Sequence, residues 1–325
     1  MTITSTRSTD LDVVDFLCGA GGSSQGLREA GFKIKLAANH WQQAIATHAL
    51  NHPDTEHLCA DLQAIDLRRL PRARVLWASP ICTELSPAGG RRKKGSARDR
   101  YEDGGHVDNA GFERTRVTFW EVVRAAEIFR YDAVLIENVV EAADWSLFDV
   151  WLSAMATLGY VVQFVSISAA HAWSDDNAPA PQWRDRLYMV FTRRGIPLPD
   201  VEPRPLAWCE SCGRDVEARQ WWKPSKRYQA TGRKIGKYGP QYIYVCPENE
   251  AHGAVEPYAA PAATAIDWTN LGTRIGDRSR ALSAATMRRI QVGLETIGNP
   301  AMVAAGGNTW DSASGAHNAY LRAWP

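Results

Sequence analysis

Six short apolar runs punctuate the first 192 residues, at 13–17, 34–38, 75–78, 133–136, 161–167 and 187–191. Each is short enough to be a strand buried on both faces, as in a parallel sheet. Between them the apolar period lengthens. Residues 23–30 follow a glycine turn, and residues 115–129 carry Val117, Trp120, Val123 and Ala126 at helical spacing. Residues 144–158 open at Asp144, a capping residue type, and stop at Gly159. Strand and helix in alternation predict a doubly wound α/β sheet, with ligands expected at the carboxyl ends of its strands.

Beyond residue 192 the pattern breaks. Pro197, Pro199, Pro203 and Pro205 mark a linker, and residues 193–240 hold 11 Arg/Lys against 5 Asp/Glu, interleaved with Trp208, Trp221, Trp222, Tyr228 and Tyr238. This predicts a second, smaller module. A helical pattern returns at 283–294, and residues 304–325 are rich in Gly, Ala and Asn.

The whole-chain charge is only +1, so affinity for a polyanion must come from local patches. No run of about 18 apolar residues predicts a membrane span, and residues 1–10 lack an apolar signal core. An intracellular, cytoplasmic protein is expected. Six cysteines in 325 residues do not suggest a disulfide framework.

Four segments carry candidate chemistry. Asp15 closes a strand, and Gly19, Gly21 and Gly22 precede a helix. Such a turn brings a ligand close to backbone at a helix N-terminus and suits a dinucleotide, a phosphate or S-adenosylmethionine; alone it is equally a tight turn. Asp61, after the strand-like run 57–60, is a second polar contact for an adenine.

Cys82, in Ser79-Pro80-Ile81-Cys82, follows an apolar strand and reads either as an exposed reactive thiol or as a buried structural one. Arg91, Arg92, Lys93, Lys94, Arg98 and Arg100 come soon after, with glycines and no apolar pattern. That stretch suggests a polyanionic substrate, with a merely solvated charged loop as an equal alternative.

Glu137-Asn138 ends the run Ala133-Val134-Leu135-Ile136, so partial desolvation would let Glu137 hold a proton, unless it serves as a cap or ion-pair partner. In Gln182-Trp183-Arg184-Asp185-Arg186, alternation would put Gln182, Arg184 and Arg186 on one face, as oxygen-binding groups or as a salt-bridged strand.

Together these segments resemble the DNA (cytosine-5)-methyltransferases, in order and in spacing. Asp15-Phe16-Leu17-Cys18-Gly19-Ala20-Gly21-Gly22 is similar to the family's cofactor motif, and Pro80-Ile81-Cys82 to its Pro-Pro-Cys motif. Glu137-Asn138-Val139 is identical to the Glu-Asn-Val motif, and Gln182-Trp183-Arg184-Asp185-Arg186 fits Gln-x-Arg-x-Arg. The likeness covers about residues 11–192, with a weaker echo in Arg280-Ala281-Leu282-Ser283 and Arg288, and has a bacteriophage or actinobacterial flavour.

The resemblance implies a Rossmann-like S-adenosylmethionine-dependent fold, with a catalytic domain at 11–192, a target-recognition module at 193–270 and a returning segment at 271–325. It implies double-stranded DNA as substrate, with Cys82 as nucleophile, Glu137 as proton donor and Arg184 on the cytosine O2. Gln182 and Arg186 would brace the site, and Arg91, Arg92, Lys93, Lys94 and Arg98 would close over the DNA. Asp15, Phe16, Gly19, Gly21, Gly22, Asn39, Trp41, Asp61 and Pro80 would surround the cofactor.

The chain departs from the pattern in places. Phe16-Leu17 replaces the usual order, Asn39-His40-Trp41 stands where a ribose-binding Glu is expected, and Ile81 replaces the second Pro. No Gly-Asn-x-Val-x-Pro segment is found, since Gly307-Asn308 runs into Thr309-Trp310-Asp311. Either a partner or a missing C-terminal segment is therefore expected to complete the cofactor pocket, or cofactor binding is weak. A silent DNA-binding relative and an RNA cytosine methyltransferase are the alternative readings.

Cys209-x-x-Cys212, with Cys246 and His252 further on, has the donor types and near the spacing of a structural zinc site; reduced cysteines in a small β module are the alternative.

Overall fold

A computed structural model describes residues 11–81, 109–173, 179–270, 277 and 279–297. Cys82, the basic stretch from Arg91 to Arg100, and residues 298–325 lie outside the described residues.

The six apolar runs all become strands. With the shorter Glu56–Cys59 they form one seven-stranded sheet: β1 (Asp12–Phe16), β2 (Lys33–Asn39), β3 (Glu56–Cys59), β4 (Val75–Ala78), β5 (Ala133–Asn138), β6 (Tyr160–Ser168) and β7 (Asp185–Arg193), in the order β3-β2-β1-β4-β5-β7-β6. The expectation of parallel strands needs one correction. β7 runs antiparallel to both β5 and β6, with Glu137 opposite Tyr188 and Ile167 opposite Arg186. Apolar density cannot report strand direction, because the apolar run of β7 reads the same in either sense.

The helices are α1 (Gly22–Glu29), α2 (Gln42–Asn51), α3 (Asn109–Phe129) and α4 (Phe148–Thr157). Asp144 does not cap α4. It ends a separate 3-10 turn, Val140–Asp144, and Leu147 precedes the helix with no side-chain cap. The chain leaves α4 at Gly159, whose φ of +91° is the left-handed conformation that stops a helix.

Trp151 of α4 is fully buried. Its ring N–H donates to the carbonyl of Phe119 in α3 at 2.8 Å, and its ring meets Phe119 and Phe191 edge-on. One side chain thus locks α3 and α4 to the sheet.

The described residues from 11 to 264 share one compact unit, so the Arg/Trp-rich region packs with the sheet. It contains the antiparallel pair β8 (Leu206–Cys209) and β9 (Arg214–Glu217), and the pair β10 (Arg219–Trp222) and β11 (Tyr242–Val245). It has its own core of Ala207, Val216, Trp222, Tyr242, Tyr244 and Val255. Its short helix α5 (Lys226–Thr231) begins at Ser225, whose Oγ accepts from Tyr228 N, and ends at Gly232 with φ +64°.

This region covers the β6 edge of the sheet. Gln220 Nε2 donates to the Ser166 carbonyl at 2.7 Å, and Gly236 N to Ser166 Oγ at 3.1 Å. A sheet edge that would otherwise offer unpaired backbone is thereby occupied. In the second unit, α6 (Ala284–Ile297) starts one residue after Ser283, whose Oγ accepts from Thr286 N.

Replacing Trp151 with Ala should lower the unfolding free energy by about 3–5 kcal/mol, the range for deleting a large buried aromatic. Denaturant unfolding of the two proteins measures it, and a loss under about 1 kcal/mol would contradict the locking role.

Candidate active site

The carboxyl ends of β1, β4 and β5 and the start of β7 converge, and each carries one of the four segments. At β1, the chain bends at Leu17 (φ +63°) and turns through Gly19 (φ +56°) and Gly21 (φ +105°) into α1. A Cβ at Gly21 would lie 2.5 Å from the His52 ring, so only glycine lets this backbone approach. Phe16 is buried in the main core, leaving half-buried Leu17 at the surface of the bend.

Asp15 is fully buried beneath this turn. Its Oδ2 accepts from Ser23 Oγ at 2.6 Å and from Ser24 Oγ at 2.8 Å, while Oδ1 has no partner among the described residues. Burial pushes the carboxyl up to about 6, with the two serine hydroxyls pulling the other way. The neighbouring Cys18 thiol is pushed up to about 12 by burial and by the Asp15 charge. Cys18 is therefore a protonated structural thiol at neutral pH.

Three histidines extend this network, and sequence reasoning missed them all. His48 Nε2 lies 3.0 Å from Ser24 Oγ, His48 Nδ1 lies 2.8 Å from His57 Nε2, and His52 Nε2 lies 2.9 Å from the Gly21 carbonyl. Since Ser24 donates to Asp15, its oxygen accepts from His48 Nε2–H, which leaves Nδ1 to accept from His57. Burial and the adjacent histidines hold His48 down to about 4, in keeping with this neutral form. The signal in the sequence was α2: Ala44, Ile45 and His48 are its buried face, and a histidine in such a stripe needs a polar partner.

The other expected cofactor residues are scattered around this end of the sheet. Asn39 is buried at the end of β2, and its Oδ1 accepts from Trp41 N at 3.0 Å. Trp41 itself is 61% exposed. Asp61 is exposed, and its Oδ1 accepts from Gln63 N.

The remaining motifs are tied to one another. Asn138 Nδ2 donates to the Pro80 carbonyl at 2.9 Å, and Asn138 Oδ1 accepts from Val139 N. Ile81 N donates to Thr118 Oγ1 of α3 at 3.1 Å. The backbone entering Cys82 is thus fixed from β5 and from α3. Glu137 is no isolated desolvated acid, because Arg186 Nε donates to its Oε1 at 2.8 Å. The expectation that Gln182 and Arg184 alternate on a strand fails: β7 begins only at Asp185, and both residues precede it, exposed.

In the smaller module, the side-chain donors of Cys209, Cys212, Cys246 and His252 all lie within 4.8 Å of one another. Cys212 Sγ is 3.7 Å from Cys246 Sγ and 3.2 Å from His252 Nδ1. A tetrahedral ion with bonds of about 2.3 Å to sulfur separates its ligands by about 3.8 Å, so the set can hold one. Gly213 (φ +63°) donates its N–H to the Cys209 carbonyl and closes the first knuckle. Gly253 (φ +74°) accepts from Cys246 N and closes the second.

Asp15 gives this network a pH signature. An acid whose pKa is raised by folding favours the folded state fully below its unfolded value of 3.8, and that contribution is lost as pH rises through about 6. Asp15→Asn carries no such loss. Its stability relative to the parent should therefore improve between pH 4 and pH 7, by up to about 3 kcal/mol. Denaturant unfolding at both pH values measures this, and a difference independent of pH would refute the assignment.

Comparison with known proteins fits this geometry. The family described as C-5 cytosine-specific DNA methylase matches residues 11–206. The Type II methyltransferase M.AgeI of Thalassovita gelatinovora is 28% identical over 205 residues, which are 59% of this chain and 42% of that protein. M.HgiDI of Herpetosiphon aurantiacus is 26% identical over 190 residues, 57% of this chain and 53% of that one. The chain thus spans about half the length of these relatives. Among solved structures, Spodoptera frugiperda DNMT2 aligns with a TM-score of 0.45 at 17% identity, over 58% of this chain and 52% of that one. S. pombe Dnmt2 aligns at 0.42 and 16%, over 59% and 51%. With more than half its length matched by the family, and with the matched motifs meeting at one end of one sheet, the chain belongs to the C-5 cytosine-specific DNA methylases.

Proposed function

We propose that this protein transfers a methyl group from S-adenosylmethionine to C5 of cytosine in double-stranded DNA. The observation that carries the reading is the hydrogen bond from Asn138 to the Pro80 carbonyl, with the Arg186–Glu137 ion pair beside it. Two contacts bind three of the four motifs into one corner, with the chain entering Cys82 one residue past Ile81.

Cytosine C5 is a poor nucleophile. The Cys82 thiolate adds to C6, forming a C–S bond and moving the ring electrons towards C5, while N3 takes a proton by way of Glu137, which, paired with Arg186, first collects it from solvent. When bound, S-adenosylmethionine would supply the methyl to C5, its S–C bond breaking to leave the neutral thioether. Loss of the C5 proton to a base restores the double bond and expels the thiolate. Neither C6 nor N3 can be reached inside stacked duplex, so the cytosine must leave the helix. Arg186 holds Glu137 in place, and Arg184, exposed just before β7, is available for the cytosine O2.

Around the cofactor, the turn through Gly19, Gly21 and Gly22 supplies backbone, and the unpartnered Asp15 Oδ1 supplies an acceptor. Trp41, Asn39, Asp61 and Pro80 would complete the surroundings, while Phe16, expected among them, packs in the core instead. The basic stretch Arg91, Arg92, Lys93, Lys94 and Arg98, with Gln182, would meet DNA. Cys209, Cys212, Cys246 and His252 would hold a structural zinc, since thiolate and imidazole in a closed tetrahedral set suit that ion. Residues 193–270 would then be a zinc-stapled reader of the target site, beside a catalytic region at 11–192.

Cys82→Ser should abolish methyl incorporation into cytosine-containing duplex. Duplex bearing 5-fluorocytosine should trap the parent covalently, because fluorine blocks the final elimination. Trapping in Cys82→Ser, or none in the parent, would remove Cys82 as the nucleophile. Incorporation into transfer RNA and not duplex DNA would make RNA the substrate.

The purified protein should carry one zinc per chain, and Cys212→Ser should lose it while melting about 10 °C lower. Elemental analysis and thermal melting test this. A metal-free parent with the same melting point as the variant would leave these residues as ordinary thiols.

A further inference from the structure

The exposed face of Trp183 has no part in the chemistry above. Trp183 is 54% exposed, yet its ring is not loose. It stacks parallel to Tyr238, centroids 5.8 Å apart and planes 5° from parallel. The buried His171 ring stands edge-on beside both, 5.2 Å from Trp183 and 4.7 Å from Tyr238. Neither His171 nitrogen has a partner among the described residues, and burial holds its pKa down to about 4, so it packs as a neutral ring. Tyr238 is anchored in turn, its N–H on Asp185 Oδ1 at 3.0 Å and its hydroxyl on Glu256. An indole is therefore held flat, one face outward, by residues from both the sheet and the smaller module.

Its surroundings narrow what it can take. Arg184, next in sequence, is exposed and makes no ion pair among the described residues. Arg186, which holds Glu137, is three residues away, about 11 Å of extended chain at most. An exposed aromatic face, followed in sequence by an exposed Arg184 and carried on the same segment as the Arg186 that holds Glu137, matches the chemistry of a base with its phosphate.

We infer that Trp183, positioned by Tyr238 and His171, stacks on a base neighbouring the target cytosine and supports the opened duplex while the cytosine is out. The inference rests on the methyltransferase reading and adds to it a binding contact outside the reacting ring.

The test is steady-state methylation with Trp183→Ala and Trp183→Phe, together with a scan of duplexes lacking one base at each position around the target. Trp183→Ala should raise KM for duplex about 10- to 100-fold and leave kcat within about threefold, the range for losing one aromatic stack. Trp183→Phe should stay within about threefold of the parent. One abasic position should weaken the parent by a similar factor and leave Trp183→Ala unaffected, and this scan on the parent stands even if the alanine variant folds poorly. Parental KM in Trp183→Ala, or a parent indifferent to every abasic position, overturns the inference alone. A parent that methylates no duplex at all overturns the functional reading and the inference with it.

Discussion

Asn138 is the joint of the candidate active site. Its amide spans two strand ends, donating to the Pro80 carbonyl and accepting from its own neighbour Val139. Strands β4 and β5 are adjacent and in register at Ala78 and Ile136, but register alone does not say where the chain goes after β4. The hydrogen bond does, fixing Pro80 beside the residue that follows Glu137. A buried amide that lost this carbonyl would leave donors unsatisfied, which costs more than the bond itself contributes. The course of the chain through Pro80 and the end of β5 at Glu137-Asn138 are therefore joined by one contact.

The same economy appears at β1. Asp15, Ser24, His48 and His57 form a directional chain of hydrogen bonds from the sheet core to helix α2 and strand β3. It keeps a buried carboxylate beneath a turn that must stay open to a ligand. The turn's shape is set from behind by His52 on the Gly21 carbonyl.

Much of this was legible in the chain. Strands buried on both faces announce themselves as unbroken apolar runs, and all six predicted runs pair in the sheet. The antiparallel sense of β7 was not legible, because a run such as Leu187-Tyr188-Met189-Val190-Phe191 reads the same in either direction. Helix α2 was missed because its buried face is only Ala44, Ile45 and His48, too slight a stripe for periodicity to reveal. The Arg186–Glu137 pair joins residues 49 apart and depends on tertiary register that no local pattern encodes. Cys209, Cys212, Cys246 and His252 could be grouped by donor type, and two glycine-closed knuckles then bring them together.

The contact between Gly21 and His52 binds the fates of two distant positions. A side chain at 21 has no room while an imidazole stands at 52, and trimming 52 would leave the Gly21 carbonyl with Gln25 N alone of its two donors. Neither residue can drift alone. Natural variation in this loop would have to move in concerted steps, with any larger residue at 21 accompanied by a smaller hydrogen-bonding one at 52 and a backbone that has left the left-handed region.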